Sequence, residues 1–340
     1  MIQNFAFGVD VSWVSQLEEK GFCWIDYEGN KVDPFRAARD MGADSVRLRV
    51  FVNPPADGMW WKALESNYCM LGHCDAAGVL EMAKRVKDQG MRLMIDFHYS
   101  DYFADPTLQD IPKEWEDDDY EKLTKRVYQH TKDVLMLLKE NDIAPEWVQV
   151  GNEINPGVML PNGSLTEHPK DLVGFLNAGY DAVKECFPEC KVITHLAGGE
   201  NRDLCIPFLD NFFKNQGKTD ILGFSYYPYW SQSVSDKELL AGCLKEYNQR
   251  YHKPVMITEV GGEDHDEEGT YQLIRDTMDA LAELKEQGLG VFYWEPEVNR
   301  EMLPDHYPLG AARLLDEHTL QYTKALTAYK EHIKNSVEKN

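Results

Sequence analysis

Two glutamates stand where apolar runs end. Glu153 follows Trp147-Val148-Gln149-Val150-Gly151-Asn152, and Glu259 follows Pro254-Val255-Met256-Ile257-Thr258. A carboxylate at the end of a strand-like run is a poor choice for a core and a good one for chemistry. In a parallel barrel all strands end on one face, and catalytic groups gather there. Two carboxyls delivered to that face from different strands are what glycosidic cleavage requires. One donates a proton, and the other acts as nucleophile or base; a retaining reaction needs them about 5–5.5 Å apart. The other run ends supply matching chemistry: Arg47 and Arg49, Asp96 and His98, Asn152, His195, Tyr227 and Trp230, and Trp294. Aromatic rings stack on the apolar faces of sugars, while amides and charged groups bond hydroxyls. Arg49, Asp96, His98, Asn152, His195, Tyr227, Trp230 and Trp294 are therefore the candidate substrate-binding residues. Arg49 and a tyrosine hydroxyl are expected to hold the nucleophile ionised, and Asn152 to bond a sugar 2-hydroxyl.

The elements that must position these groups alternate between strand and helix. The strands are read at Phe5–Asp10, Ser45–Val50, Arg92–Phe97, Trp147–Glu153, Lys191–Thr194, Ile221–Phe224, Pro254–Glu259 and Gly290–Trp294. Helices are expected over Phe35–Met41, Asp75–Gln89, Tyr120–Lys139, Lys170–Cys186, Ile206–Asn215, Asp236–Tyr251, Gly269–Gln287 and Leu320–Lys334. Asp33-Pro34 has the pattern of an N-cap followed by Pro at N1. Eight such repeats predict an α/β protein with a single (β/α)8 TIM barrel, the 340 residues forming one catalytic domain, 1–340. An open, doubly wound sheet is the rival, but the chain has neither a Gly-x-Gly-x-x-Gly after its first strand nor a Walker A motif.

Composition limits the partners. The net charge of −23 repels phosphate backbones and anionic membranes, which excludes nucleic acid and suits a neutral oligo- or polysaccharide. No apolar run approaches the ~20 residues of a membrane span. The first residues lack a basic and apolar leader pattern, so the chain as given reads as cytoplasmic, or as secreted or periplasmic after removal of a signal. The seven cysteines have no zinc spacing, so no metal site is expected; they read as buried or loop thiols of a reducing compartment, with a Cys69–Cys74 or Cys186–Cys190 bridge as the alternative. The mechanism calls for no cofactor. The acidic run Glu263–Glu268 reads as a solvated charge run.

The blocks Gly8–Ser12, Arg47–Val50, Asp96–Asp101, Val148–Ile154, Ser225–Pro228 and Tyr293–Pro296 together resemble glycoside hydrolase family 53, the arabinogalactan endo-β-1,4-galactanases. The resemblance implies Glu153 as acid/base and Glu259 as nucleophile. It implies hydrolysis of β-1,4-galactosidic bonds with retention. Around the ends of the strands the chain departs from the family pattern. Leu160 precedes Pro161 where a tryptophan is usual, Val260-Gly261-Gly262 replaces an aromatic-proline turn, Ser231-Gln232 replaces His-Gly, and Glu297-Val298-Asn299 lacks a tryptophan. Those loops build outer sugar subsites, so another β-linked plant glycan such as mannan or xylan is the alternative substrate. A non-catalytic sugar-binding barrel is the third reading, and it leaves two intact carboxylates unexplained.

Overall fold

The computed structural model describes residues 5–63, 66–232, 235–301 and 307–338. Eight parallel strands close into a barrel: β1 (Ala6–Asp10), β2 (Ser45–Val50), β3 (Arg92–Phe97), β4 (Trp147–Val150), β5 (Lys191–Leu196), β6 (Ile221–Tyr226), β7 (Val255–Val260) and β8 (Gly288–Trp294). Each strand pairs with its sequence neighbour, and β8 pairs with β1 to complete the ring. Helices pack outside, among them Ala76–Asp88, Tyr120–Glu140 and Pro169–Cys186. Six helices start on a side-chain cap from Asp33, Asp75, Asp119, Asn201, Asp236 or Asp266, each accepting from a backbone N–H three residues on. The cap satisfies a donor that the first helical turn leaves unpaired. Asp119, at the end of the acidic run Glu116–Asp119, is one of these caps.

Period-two alternation divides each strand between two environments. Outward residues such as Val46, Leu48, Leu93, Ile95, Val148 and Leu222 join the large core beneath the helices. Inward residues Ala6, Met94, Trp147, Ile193, Ile221, Met256 and Phe292 form a separate apolar plug inside the barrel. Small residues make room for that plug. A Cβ on Gly8 would lie 2.1 Å from the Phe292 ring, and one on Gly223 would lie 2.6 Å from Ile193 Cγ2. One layer further along β2, β3, β4 and β5 the inward positions are polar: Arg47, Asp96, Gln149 and His195. The plug is thus the floor on which a polar layer rests at the C-terminal end.

The last expected helix needs correction. Thr319–Tyr322 is a strand, joined with Ala312–Leu314, Cys23–Ile25 and Lys31–Val32 in a four-stranded sheet, and the helix begins at Thr327. Burial alternates along Thr319–Tyr322, the signature of a half-buried strand, which the longer helical reading passed over. None of the seven cysteines, all among the described residues, is in a disulfide, so neither candidate bridge is closed.

Candidate active site

Glu153 and Glu259 both line one cavity of about 920 Å³ at the C-terminal end of the barrel, and they reach it by different local devices. Strand β4 stops at Val150, not at Glu153 as its sequence suggests. Gly151 then takes φ +85° and Glu153 takes φ +47°. The left-handed conformation is costly for a non-glycine residue. Backbone bonds fix it on both sides, from Gly151 N to the Phe97 carbonyl and from Ile154 N to the His195 carbonyl. Glu259 sits within β7, where strict alternation after the inward Met256 would turn it outward. The β6–β7 register skips a residue, pairing Phe224 with Ile257 but Ser225 with Glu259. That irregularity places Glu259 on the cavity while Ile257 and Val260 stay in the outer core. Re-aiming a side chain beside an active site is a common use of a β-bulge.

Arg47 is the hub beneath them. It is fully buried and donates through Nη1 to Asp10 (2.8 Å) and through Nη2 to Asp96 (2.7 Å), Asn152 Oδ1 (2.8 Å) and Glu259 Oε1 (2.8 Å). The Tyr227 hydroxyl donates to the other oxygen of Glu259 at 2.9 Å. Burial raises Glu259 to about 7, with Arg47 and the Tyr227 hydroxyl opposing the rise. Glu153 is pushed well above the usual carboxylate range by burial and by the charge of Glu259. The Ser225 hydroxyl offsets this in part. Ser225 in turn bonds His195 Nε2 at 2.8 Å. Burial, reinforced by Arg47, drives His195 well below its ordinary value, so the ring is neutral near pH 7. The two carboxyls therefore differ in the way acid/base work demands. One has a cation and a phenol on its oxygens, and the other has a hydroxyl and a like charge nearby.

The expected binding residues fall into two groups. His98, Asn152, Tyr227, Trp230 and Trp294 line the cavity. Asp96, Arg49 and His195 do not; they are buried below it and act on the residues that do. Asp96 accepts from Arg47 and from His98 Nε2 (2.9 Å), while His98 Nδ1 accepts from Ala104 N. The Asn152 amide is anchored, donating through Nδ2 to the Ala104 carbonyl and accepting from Arg47, Gln149 and His195. Contrary to the expectation from sequence, Arg47 and not Arg49 holds Glu259. Both face inward on β2, but Arg49 lies one step higher, paired with Glu295 and ringed by Phe103 (4.8 Å), Trp13 (5.0 Å) and Trp294 (5.7 Å).

Some participants escaped the sequence reading. Trp13, Phe103 and Tyr307 line the cavity beside Trp294, with Tyr307 and Trp294 centroids 4.7 Å apart. Tyr307 stands in a stretch of sequence without periodic pattern, so no sequence signal singled it out. Buried Glu297, next to Glu295, was likewise passed over. The acidic run Glu263–Glu268 is only partly solvated. Asp264 is buried and accepts from Arg300 N and Nε, both at 2.7 Å, which ties the loop after β7 to the loop after β8. Asp266 caps the helix Glu267–Ala282. Among the described residues, no group of three or more His, Cys, Asp or Glu side chains is placed to hold a metal ion.

Comparison with known proteins gives a consistent picture. The sequence profile of glycosyl hydrolase family 53 matches residues 6–329. The arabinogalactan endo-beta-1,4-galactanase of Cellvibrio japonicus is 32% identical over 325 residues, covering 86% of this chain and 80% of that protein. The endo-beta-1,4-galactanase of Bacillus subtilis is 30% identical over 318 residues, covering 87% of this chain and 71% of that protein. The solved family 53 catalytic domain of Ignisphaera aggregans superposes with a TM-score of 0.82 at 28% identity, covering 96% of each chain.

Proposed function

Because the chain belongs to glycosyl hydrolase family 53, it is a glycosidase, and we propose that it cleaves β-1,4-galactosidic bonds of galactan or galacto-oligosaccharides with retention, Glu153 serving as acid/base and Glu259 as nucleophile. The observation that carries the reading is the asymmetry of the two carboxyls on one cavity. Glu259 accepts from Arg47 and Tyr227, while Glu153 is held high by burial and by its neighbour's charge. In the first step Glu153 gives its proton to the glycosidic oxygen, the C1–O bond breaks, and Glu259 bonds to C1. In the second step Glu153, now a carboxylate, takes a proton from water as that water attacks C1 and frees Glu259.

His195 and Ser225 act as positioning residues for Glu153, and Arg47 and Tyr227 for Glu259. His98, Asn152, Trp230 and Trp294 are proposed to meet the sugar directly, with Tyr307, Trp13 and Phe103 completing the apolar wall. Arg49 and Asp96 stiffen the floor. Residues 1–340 are taken as a single catalytic domain, a reading supported by the family match over 6–329. A polymeric substrate puts the work outside the cell membrane. Burial raises the Cys74, Cys190 and Cys205 thiols to about 12, which leaves them unreactive there. No helix among the described residues is long and apolar enough to cross a membrane.

The test is reducing-end release from galactan, arabinogalactan, mannan and xylan, with the anomer of the first product followed by proton NMR. Release from galactan with the β-anomer appearing first is expected. Release only from another glycan overturns the substrate, and an initial α-anomer overturns retention.

A further inference from the structure

The loop after β2 carries an antiparallel hairpin, Met59–Lys62 paired with Asn67–Met70. Its two faces are used differently. On the inner face Lys62 and Cys69 line the cavity, and Trp60 lies flat on Tyr102 with centroids 4.2 Å apart and planes 8° apart. That stack and buried Cys69 and Met70 seat the hairpin on the barrel. On the outer face Trp61 and Tyr68 are direct cross-strand partners, 48% and 56% exposed, with centroids 4.9 Å apart and planes at 62°. Neither lines the cavity. Alternation thus gives one hairpin a cavity wall on one side and an open aromatic corner on the other.

We infer that Trp61 and Tyr68 form a second carbohydrate-binding site, which holds a length of the neutral β-galactan chain that extends beyond the cavity. The inference rests on the proposed galactanase reading for its ligand. Indole and phenol faces set at an angle offer apolar surface to the C–H faces of successive sugar rings, the same contact that lines the cavity. The hairpin is continuous with the cavity wall, so a chain leaving the cavity over this rim meets the corner without crossing other elements. An acidic polymer is disfavoured by the net charge of −23, and so is a second copy of the same chain. A neutral glycan meets no such repulsion.

The experiment compares wild type with the double variant Trp61→Ala/Tyr68→Ala, both as the full chain. KM for linear β-1,4-galactan and for a short galacto-oligosaccharide is measured, together with retardation in galactan-loaded native gels. Expected is a rise of about three- to ten-fold in KM for the polymer, lost retardation, and kcat/KM on the oligosaccharide unchanged within two-fold. Trp61→Phe, which keeps a ring, retains most of the polymer affinity and guards against a folding artefact. Equal KM on polymer for all variants overturns the inference, as does an equal loss on polymer and oligosaccharide. Sedimentation showing a wild-type dimer that the double variant dissociates assigns the corner to self-association instead. If the wild type cleaves a different β-glycan, the same comparison of polymer with oligomer is made on that glycan. Failure of galactan as substrate is thereby told apart from failure of the site.

Discussion

Glu259 needs two opposing influences: burial, which raises it, and the Arg47–Tyr227 pair, which keeps its charged form accessible. Removing one hydrogen bond to the charged form raises the pKa further. Tyr227→Phe is therefore expected to move the acid limb of the kcat/KM profile to higher pH, read from initial rates on galacto-oligosaccharide between pH 4 and 9. An unmoved limb would detach Tyr227 from the nucleophile. Glu153→Ala removes the proposed general acid, a group that contributes about 10²–10⁴-fold. In kcat/KM the loss should be large on natural substrate and small on an aryl galactoside whose leaving group needs no protonation, while kcat falls on both because the base of the second step is gone. Glu259→Ala should cost about 10⁶-fold on both substrates, as loss of a nucleophile does, while oligosaccharide binding survives in calorimetry. Arg47 bridges three carboxylates in a dry layer. Arg47→Met leaves them uncompensated and should cost about 3–5 kcal/mol in denaturant unfolding.

At the level of strands, the proposed role of Glu259 depends on one irregularity. Glu259 reaches the cavity because the β6–β7 register skips a residue after Phe224. The space beneath that irregularity is set by Gly223, where an added Cβ would lie 2.6 Å from Ile193 Cγ2 and 3.0 Å from Thr258 Cγ2. Gly223→Ala must push Ile193 or Thr258 aside, so a loss of about 1–3 kcal/mol is expected in thermal melts. Displacement of Thr258 also turns Glu259, so kcat should fall more than KM changes. A variant of wild-type Tm and wild-type kcat would show that the bulge does not depend on this contact. The eight-fold strand and helix order was legible in the sequence because each strand is a short apolar run bounded by polar turns. The bulge was not legible, since a register shift belongs to the pairing of two strands and to neither strand alone.

At the scale of the whole molecule, four buried glutamates and the surface charge act on stability in one direction, against the lowered Asp96. Burial raises Glu259 and Glu295 to about 7, and raises Glu153 and Glu297 well above the usual range. An unfolded glutamate titrates near ~4.3. Between that pH and about 7 the folded state therefore holds more protons than the unfolded state, and stability falls as pH rises through the window. The net charge of −23 adds self-repulsion at the upper end. Tm should therefore be higher near pH 5 than near pH 8. Glu297→Gln, which fixes the neutral form of a buried group, should flatten the slope; a Tm that climbs steadily from pH 5 to 8 would contradict this account.

The sequence by itself determined the barrel, its closure with eight strands, and the delivery of two glutamates to one cavity, because short apolar runs, the helical stretches between them and charges at run ends are local signals. It also named His98, Asn152, Tyr227, Trp230 and Trp294, which line the cavity. Only the tertiary structure decided which of two inward arginines holds Glu259, that Asp96, Arg49 and His195 lie beneath the cavity, and that Tyr307 joins its wall. Height within a barrel depends on the stagger of neighbouring strands, and loop placement depends on contacts between distant segments. Neither quantity is written in any single stretch of the chain.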